Sequence, residues 1–85
     1  MNDGTPYHPP VKRSVAIEGH RTSISLEPVF WDLLQEAALA RGISINRLVA
    51  EIDRERIAAE TPPGLASAIR VWLVHRAYMR KEAPE

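Results

Sequence analysis

The chain has 85 residues, a formal net charge of zero and no cysteine. It is therefore one domain at most, with a thin core that is marginal without a staple, and it has neither a disulfide nor a thiolate metal site. His8, His20 and His75 lie too far apart for metal-ligand spacing, which leaves oligomerisation as the staple.

The zero total hides a segregated charge. Residues 11–26 carry Lys12, Arg13 and Arg21 against Glu18. Residues 27–60 are net acidic, and residues 61–81 carry Arg70, Arg76, Arg80 and Lys81 with no acid. The local field, not the total, steers a chain toward a polyanion. No basic leader backed by an apolar run opens the sequence, and no stretch approaches the roughly 20 apolar residues of a membrane span. The expected location is the cytoplasm, away from membranes.

Residues 1–10 contain Pro6, Pro9 and Pro10 and read as a flexible, proline-rich arm. Residues 11–26 alternate. Val15 and Ile17 alternate with Ser14 and Ala16, then Thr22, Ile24 and Leu26 with Arg21, Ser23 and Ser25. This is the period-two signal of a half-buried strand. Glu18-Gly19-His20 separates the two runs, so both a hairpin and one strand with a lead-in are open, the second run being the stronger.

Pro28 suits the first turn of a helix. The stripe Phe30, Leu33, Leu34, Ala37, Ala38 carries that helix to about Arg41, and Gly42 ends it. Ser44 is a good N-cap for a second helix with Ile45, Leu48, Val49 and Ile52 on one side. Thr61-Pro62-Pro63-Gly64 breaks the chain. Thr61 can cap a third helix with Pro62 just inside it, running from about Leu65 to Arg80. Leu65, Ile69, Trp72 and Leu73 form its stripe, and Val71, Val74 and Tyr78 widen it. A helix this apolar wants burial on more than one side, most simply against a second subunit. The domain plan is an arm over 1–10, a strand and two helices over 11–60, a third helix over 61–81 and a flexible tail over 82–85.

A lone strand cannot satisfy its own edges. Pairing with the same strand of a second chain would solve this about a twofold axis. Thr22, Ile24 and Leu26 would then face the helices and Arg21, Ser23 and Ser25 would face outward, on a ribbon narrow enough for the DNA major groove.

Arg21-Thr22-Ser23-Ile24-Ser25-Leu26, the helix from Pro28 and the turn Gly42-Ile43-Ser44-Ile45-Asn46 resemble the ribbon-helix-helix repressors of the Arc/MetJ/CopG type. The wider stretch from Lys12-Arg13-Ser14-Val15 through Gly19-His20-Arg21 to Phe30-Trp31 is similar to a bacterial subfamily with an added C-terminal helix. The resemblance covers residues 12 to about 75. It implies a mostly α fold with a short β-ribbon, in an intertwined homodimer with a third helix. It further implies that Arg21, Ser23 and Ser25 touch base edges. The amides of Ile45 and Asn46 behind Ser44 would hold a phosphate, with Lys12, Arg13 and His20 adding backbone contacts. Ile24, Leu26, Phe30, Leu34, Leu48 and Ile52 would form the dimer core. The partners expected are double-stranded DNA and a second copy, with higher assemblies on DNA. No cofactor, metal or catalytic residue is expected.

The leading reading is a dimeric transcriptional regulator acting as a repressor. Two alternatives stand beside it: an antitoxin-like protein whose residues 65–81 bind a protein partner, and a scaffold that has lost DNA binding. An enzyme is the least favoured class, with no cysteine nucleophile, no glycine-rich phosphate loop and no His–carboxylate cluster.

Overall fold

The computed structural model describes Thr5 and residues 7–82. Residues 1–4 and 6 of the expected arm, and residues 83–85 of the expected tail, lie outside the described residues. The element order is β1 (Val11–Ile17), β2 (His20–Leu26), α1 (Pro28–Arg41), α2 (Ile45–Ala58) and α3 (Leu65–Glu82).

The hairpin alternative is the one the chain adopts. β1 and β2 pair antiparallel, with Val11 opposite Leu26, Val15 opposite Thr22 and Ile17 opposite His20. Glu18 (φ 48°) and Gly19 (φ 85°) are the two residues between the strands. Positive φ at both central positions is the signature of the turn whose twist matches a tight hairpin. The glycine adopts it freely, whereas Glu18 is a residue that seldom does. β2 thus finds its pairing partner inside its own chain.

The register sorts the side chains into two rows. Val11, Val15, Ile24 and Leu26 face the helices, and Val15, Ile24 and Leu26 are buried. Lys12, Ser14, Arg21 and Ser23 share the opposite, exposed face with Ala16 and the half-buried Ser25.

Pro28 occupies the first turn of α1, and the Glu27 carbonyl accepts from the amides of Phe30 (2.8 Å) and Trp31 (3.2 Å). Gly42 closes the helix in the left-handed region at φ 69°. Its amide donates to the Leu39 carbonyl and that of Ile43 to Ala38, the paired bonds of a Schellman ending. The buried stripe of α1 is Trp31, Leu34, Ala37 and Ala38, with Phe30 and Leu33 only half-buried. The stripe is therefore rotated by one position toward Trp31, whose ring closes the core while its indole Nε1 donates to the Val11 carbonyl at 2.9 Å. A buried indole needs such a partner.

α2 starts where Ser44 was expected to cap it, the serine Oγ accepting from the Arg47 amide at 3.1 Å. Arg56 pairs with Asp53 (2.8 Å) and donates to the Pro63 carbonyl (3.1 Å), which ties down the turn into α3. Thr61 and Pro62 do not open α3, which begins at Leu65, with the Gly64 carbonyl accepting from Ala68. The reason is local: Pro63 pushes Pro62 out of the helical region.

α3 is part of the same core. Ala68, Ile69 and Leu73 are buried together with Leu34, Leu48, Val49 and Ile52. Of the six residues expected at a dimer core, Ile24, Leu26, Leu34, Leu48 and Ile52 are buried within this one chain and Phe30 is half-buried.

Candidate nucleic-acid interface

The outward face of the hairpin is a continuous polar surface, with Lys12, Ser14, Arg21 and Ser23 all exposed. Seven residue pairs at about 3.4 Å per residue give a ribbon of roughly 24 Å. With strands about 4.8 Å apart, its cross-section suits a groove about 12 Å wide. Arg21, Ser23 and Ser25 come from β2, and Lys12 and Ser14 stand beside them from β1. Ser25 is the least accessible of the five, and its carbonyl accepts from Arg70 Nη2 at 3.4 Å.

Ser14 is a residue the sequence reasoning missed. Its Oγ accepts from Arg21 Nη1 at 2.9 Å and holds the guanidinium over the ribbon face. Only the β1–β2 register brings the two together, since Ser14 lies opposite Ser23 and two pairs along from Arg21, on the same face. The alternation of Lys12, Ser14 and Ala16 was the available signal.

The N-terminus of α2 is fixed to the same ribbon. Asn46 Oδ1 accepts from the Ala16 amide at 3.2 Å, on the outer edge of β1 and at the level of Arg21. In the first turn of a helix the amides lack intrahelical acceptors. Here Ser44 takes up that of Arg47. The amides of Ile45 and Asn46 lie at the positive end of the helix dipole, next to the ribbon rather than remote from it. The Asn46 side chain itself is a bridge between elements.

Arg13 is placed differently from Lys12. It belongs to the helix-facing row, and its guanidinium carbon sits 5.1 Å from the centre of the Trp31 ring. This cation–π geometry leaves it exposed at the ribbon's flank. His20 is exposed at the turn. At the other end of β2, Arg70 of α3 donates to Glu27 Oε1 at 2.9 Å and lies 5.7 Å from the Phe30 ring. A backbone hydrogen bond within Glu27, and then the Arg70 guanidinium, hold the Glu27 carboxyl below its ordinary value of 4.5.

The ribbon-helix-helix domain profile matches residues 10–77, which is most of the chain and takes in β1, β2, α1, α2 and the greater part of α3. The chain belongs to the ribbon-helix-helix family. No curated protein and no solved structure matches it. Ribbon-helix-helix domains form a non-enzymatic, DNA-binding fold of transcription regulators that generally bind DNA as dimers. Within the chain described, β1 and β2 pair with each other. Among the described residues no group of histidines and carboxylates is arranged to hold a metal ion, and no helix is long and apolar enough to cross a membrane.

Proposed function

We propose that this ribbon-helix-helix protein is a sequence-specific transcriptional repressor that acts as a homodimer and inserts its β-ribbon in the major groove. The observation that carries this reading is the two-sided ribbon, with Val15, Ile24 and Leu26 buried on one face and Lys12, Ser14, Arg21 and Ser23 exposed on the other. Arg21 donates in pairs to guanine O6 and N7. Ser23 and Ser25 read less stringently, because a hydroxyl both donates and accepts. The free α2 amides of Ile45 and Asn46, just behind Ser44, seat a phosphate, and Lys12 and Arg13 neutralise others. In this reading the protein works in the cytoplasm without catalysis or a cofactor. A second reading, in which residues 65–81 hold a protein partner, draws on the apolar surface that α3 leaves exposed.

The test is fluorescence anisotropy with the DNA upstream of the protein's own gene, unrelated duplex as competitor, at several salt concentrations. Competitor-resistant binding is expected. With Lys12 and Arg13 neutralising about four phosphates per dimer, the slope of log K against log salt is about −4. Arg21→Ala costs about 1–3 kcal/mol of specific binding with the fold intact. No binding to any duplex at low salt refutes the reading, and unchanged affinity removes Arg21 from the site.

A further inference from the structure

One charge on α2 is placed against the helix that carries it. Ser44 is the N-cap and its Oγ accepts from the Arg47 amide at 3.1 Å, so Arg47 stands at the third helical position. A capping box puts Glu or Gln there, and the positive end of the helix dipole favours an acid. The first turn of α2 has no acid, and a guanidinium occupies the place of one. The acid that Arg47 meets is Glu51, whose Oε2 lies 3.8 Å from Arg47 Nε, too far for a hydrogen bond. Glu51 Oε1 is already engaged by Arg41 Nη1 at 2.7 Å. An arginine one turn before a glutamate is also the weaker order for such a pair. By contrast, Arg41, Arg54, Arg56 and Arg70 each hold an acid within 3.3 Å. The Arg47 side chain is 71 % exposed. We propose that Arg47 binds a phosphate of the duplex backbone, at the border of the groove that the ribbon enters. This rests on the DNA part of the proposed function and adds a residue to it.

Asn46 fixes where Arg47 stands. Its Oδ1 accepts from the Ala16 amide at 3.2 Å on the outer edge of β1, and Ala16 lies opposite Arg21. Arg47 is therefore about 3.8 Å, one Cα step, from a residue bonded to the ribbon edge. A two-stranded ribbon in a groove about 12 Å wide has its edges against the groove walls, and those walls are rows of phosphates. Arg21, on the ribbon face, is then over base edges, while Arg47, at its edge, is over backbone at the same level.

The charges change roles when DNA arrives. A phosphate supplies the anion that both the start of α2 and the Arg47 guanidinium lack. Glu51 keeps Arg41 and gives up Arg47, because a long contact in solvent holds weakly, whereas a guanidinium–phosphate bond is short and charge-assisted. Counting Arg47 with Lys12 and Arg13 raises the phosphates neutralised to about six per dimer and steepens the salt slope to about −5.

Stability and binding should move in opposite directions, which no purely structural role of Arg47 produces. The assays are thermal unfolding of the full chain, and fluorescence anisotropy on the upstream DNA and on an unrelated duplex. Arg47→Glu completes the capping box, so its melting temperature is expected to equal or exceed that of wild type while its affinity for both duplexes falls. Arg47→Gln keeps the box without a charge. Its salt slope is expected to be shallower than wild type by about 1.8 per dimer, so that its deficit in affinity shrinks about tenfold between 50 and 200 mM salt. The loss is expected to be equal on the two duplexes, whereas Arg21→Ala loses the preference between them. Wild-type affinity and slope in Arg47→Gln overturn the proposal. A loss in Arg47→Glu without one in Arg47→Gln also overturns it, since repulsion at a distance then explains the effect. So does a loss confined to the upstream DNA, which would make Arg47 a reader of bases. A wild type that binds no duplex at low salt refutes the DNA reading itself, and the proposal falls with it.

Discussion

Ile69→Ala asks whether α3 is a structural member of the domain or an appendage. The side chain is completely buried and belongs to the cluster that contains Leu34, Leu48, Val49 and Ile52. Truncating a large aliphatic residue in such a place costs about 2–5 kcal/mol, the transfer term plus the cavity left behind. A domain of 85 residues has about 4–13 kcal/mol in all. A loss of about 3 kcal/mol lowers the melting temperature by about 12–24 °C at this size. The assay is guanidinium and thermal unfolding followed at 222 nm, at one fixed protein concentration because self-association adds apparent stability. A single transition displaced by that amount is expected. A change below about 1 kcal/mol, or a separate early melting of α3 with the rest intact, refutes the idea of one shared core.

Ile24→Lys puts a charge at a buried position of β2 with no acid facing it, and should leave a chain without cooperative unfolding; a folded, cooperatively melting variant would show the strand faces reversed. Ser44→Ala removes the oxygen that accepts from the Arg47 amide, with an expected cost of about 1 kcal/mol in denaturant unfolding. Glu27 contributes through a depressed carboxyl pKa. Its stabilisation is complete above the ordinary value of 4.5, falls as the pH drops from there, and is gone once the pH has passed the lowered value. Glu27→Gln should flatten that part of an acid-stability profile, and an unchanged profile would remove the Arg70 pair from the account.

The strand faces, the helix from Pro28, the Gly42 ending and the Ser44 cap were legible because each rests on a local rule: alternation, proline and glycine backbone preference, and a hydroxyl at a helix start. Three features were not. The hairpin stayed open because Glu18-Gly19 is not the Asn-Gly or Asp-Gly that announces such a turn. The partner of Trp31 was hidden because helical periodicity alone does not reveal that its Nε1 finds the Val11 carbonyl 20 residues away. The role of Ser14 depends wholly on the β1–β2 register. In each case the missing information was a contact between distant segments. The face that α3 buries follows the same logic: the sequence shows an apolar circumference, and only the closed core shows which half is already used.

The most direct probe of how this protein makes its ribbon is Gly19→Ala. A Cβ at this position would meet nothing within 4 Å, so sterics with the rest of the molecule contribute no cost. The cost is all backbone: Gly19 sits at φ 85°, and moving an L-residue there costs about 1–2 kcal/mol. That cost exists only while residues 18 and 19 form a tight turn between β1 and β2 of one chain. If β2 paired instead with its copy in a second chain and β1 were a loose lead-in, Gly19 could relax to negative φ, and alanine there would be neutral or mildly stabilising. Denaturant unfolding at one fixed low micromolar concentration therefore reads the source of the ribbon from the sign of one number. A loss of about 1–2 kcal/mol upholds the single-chain hairpin. A zero or favourable change refutes it, and with it the placement of Lys12 and Ser14 beside Arg21.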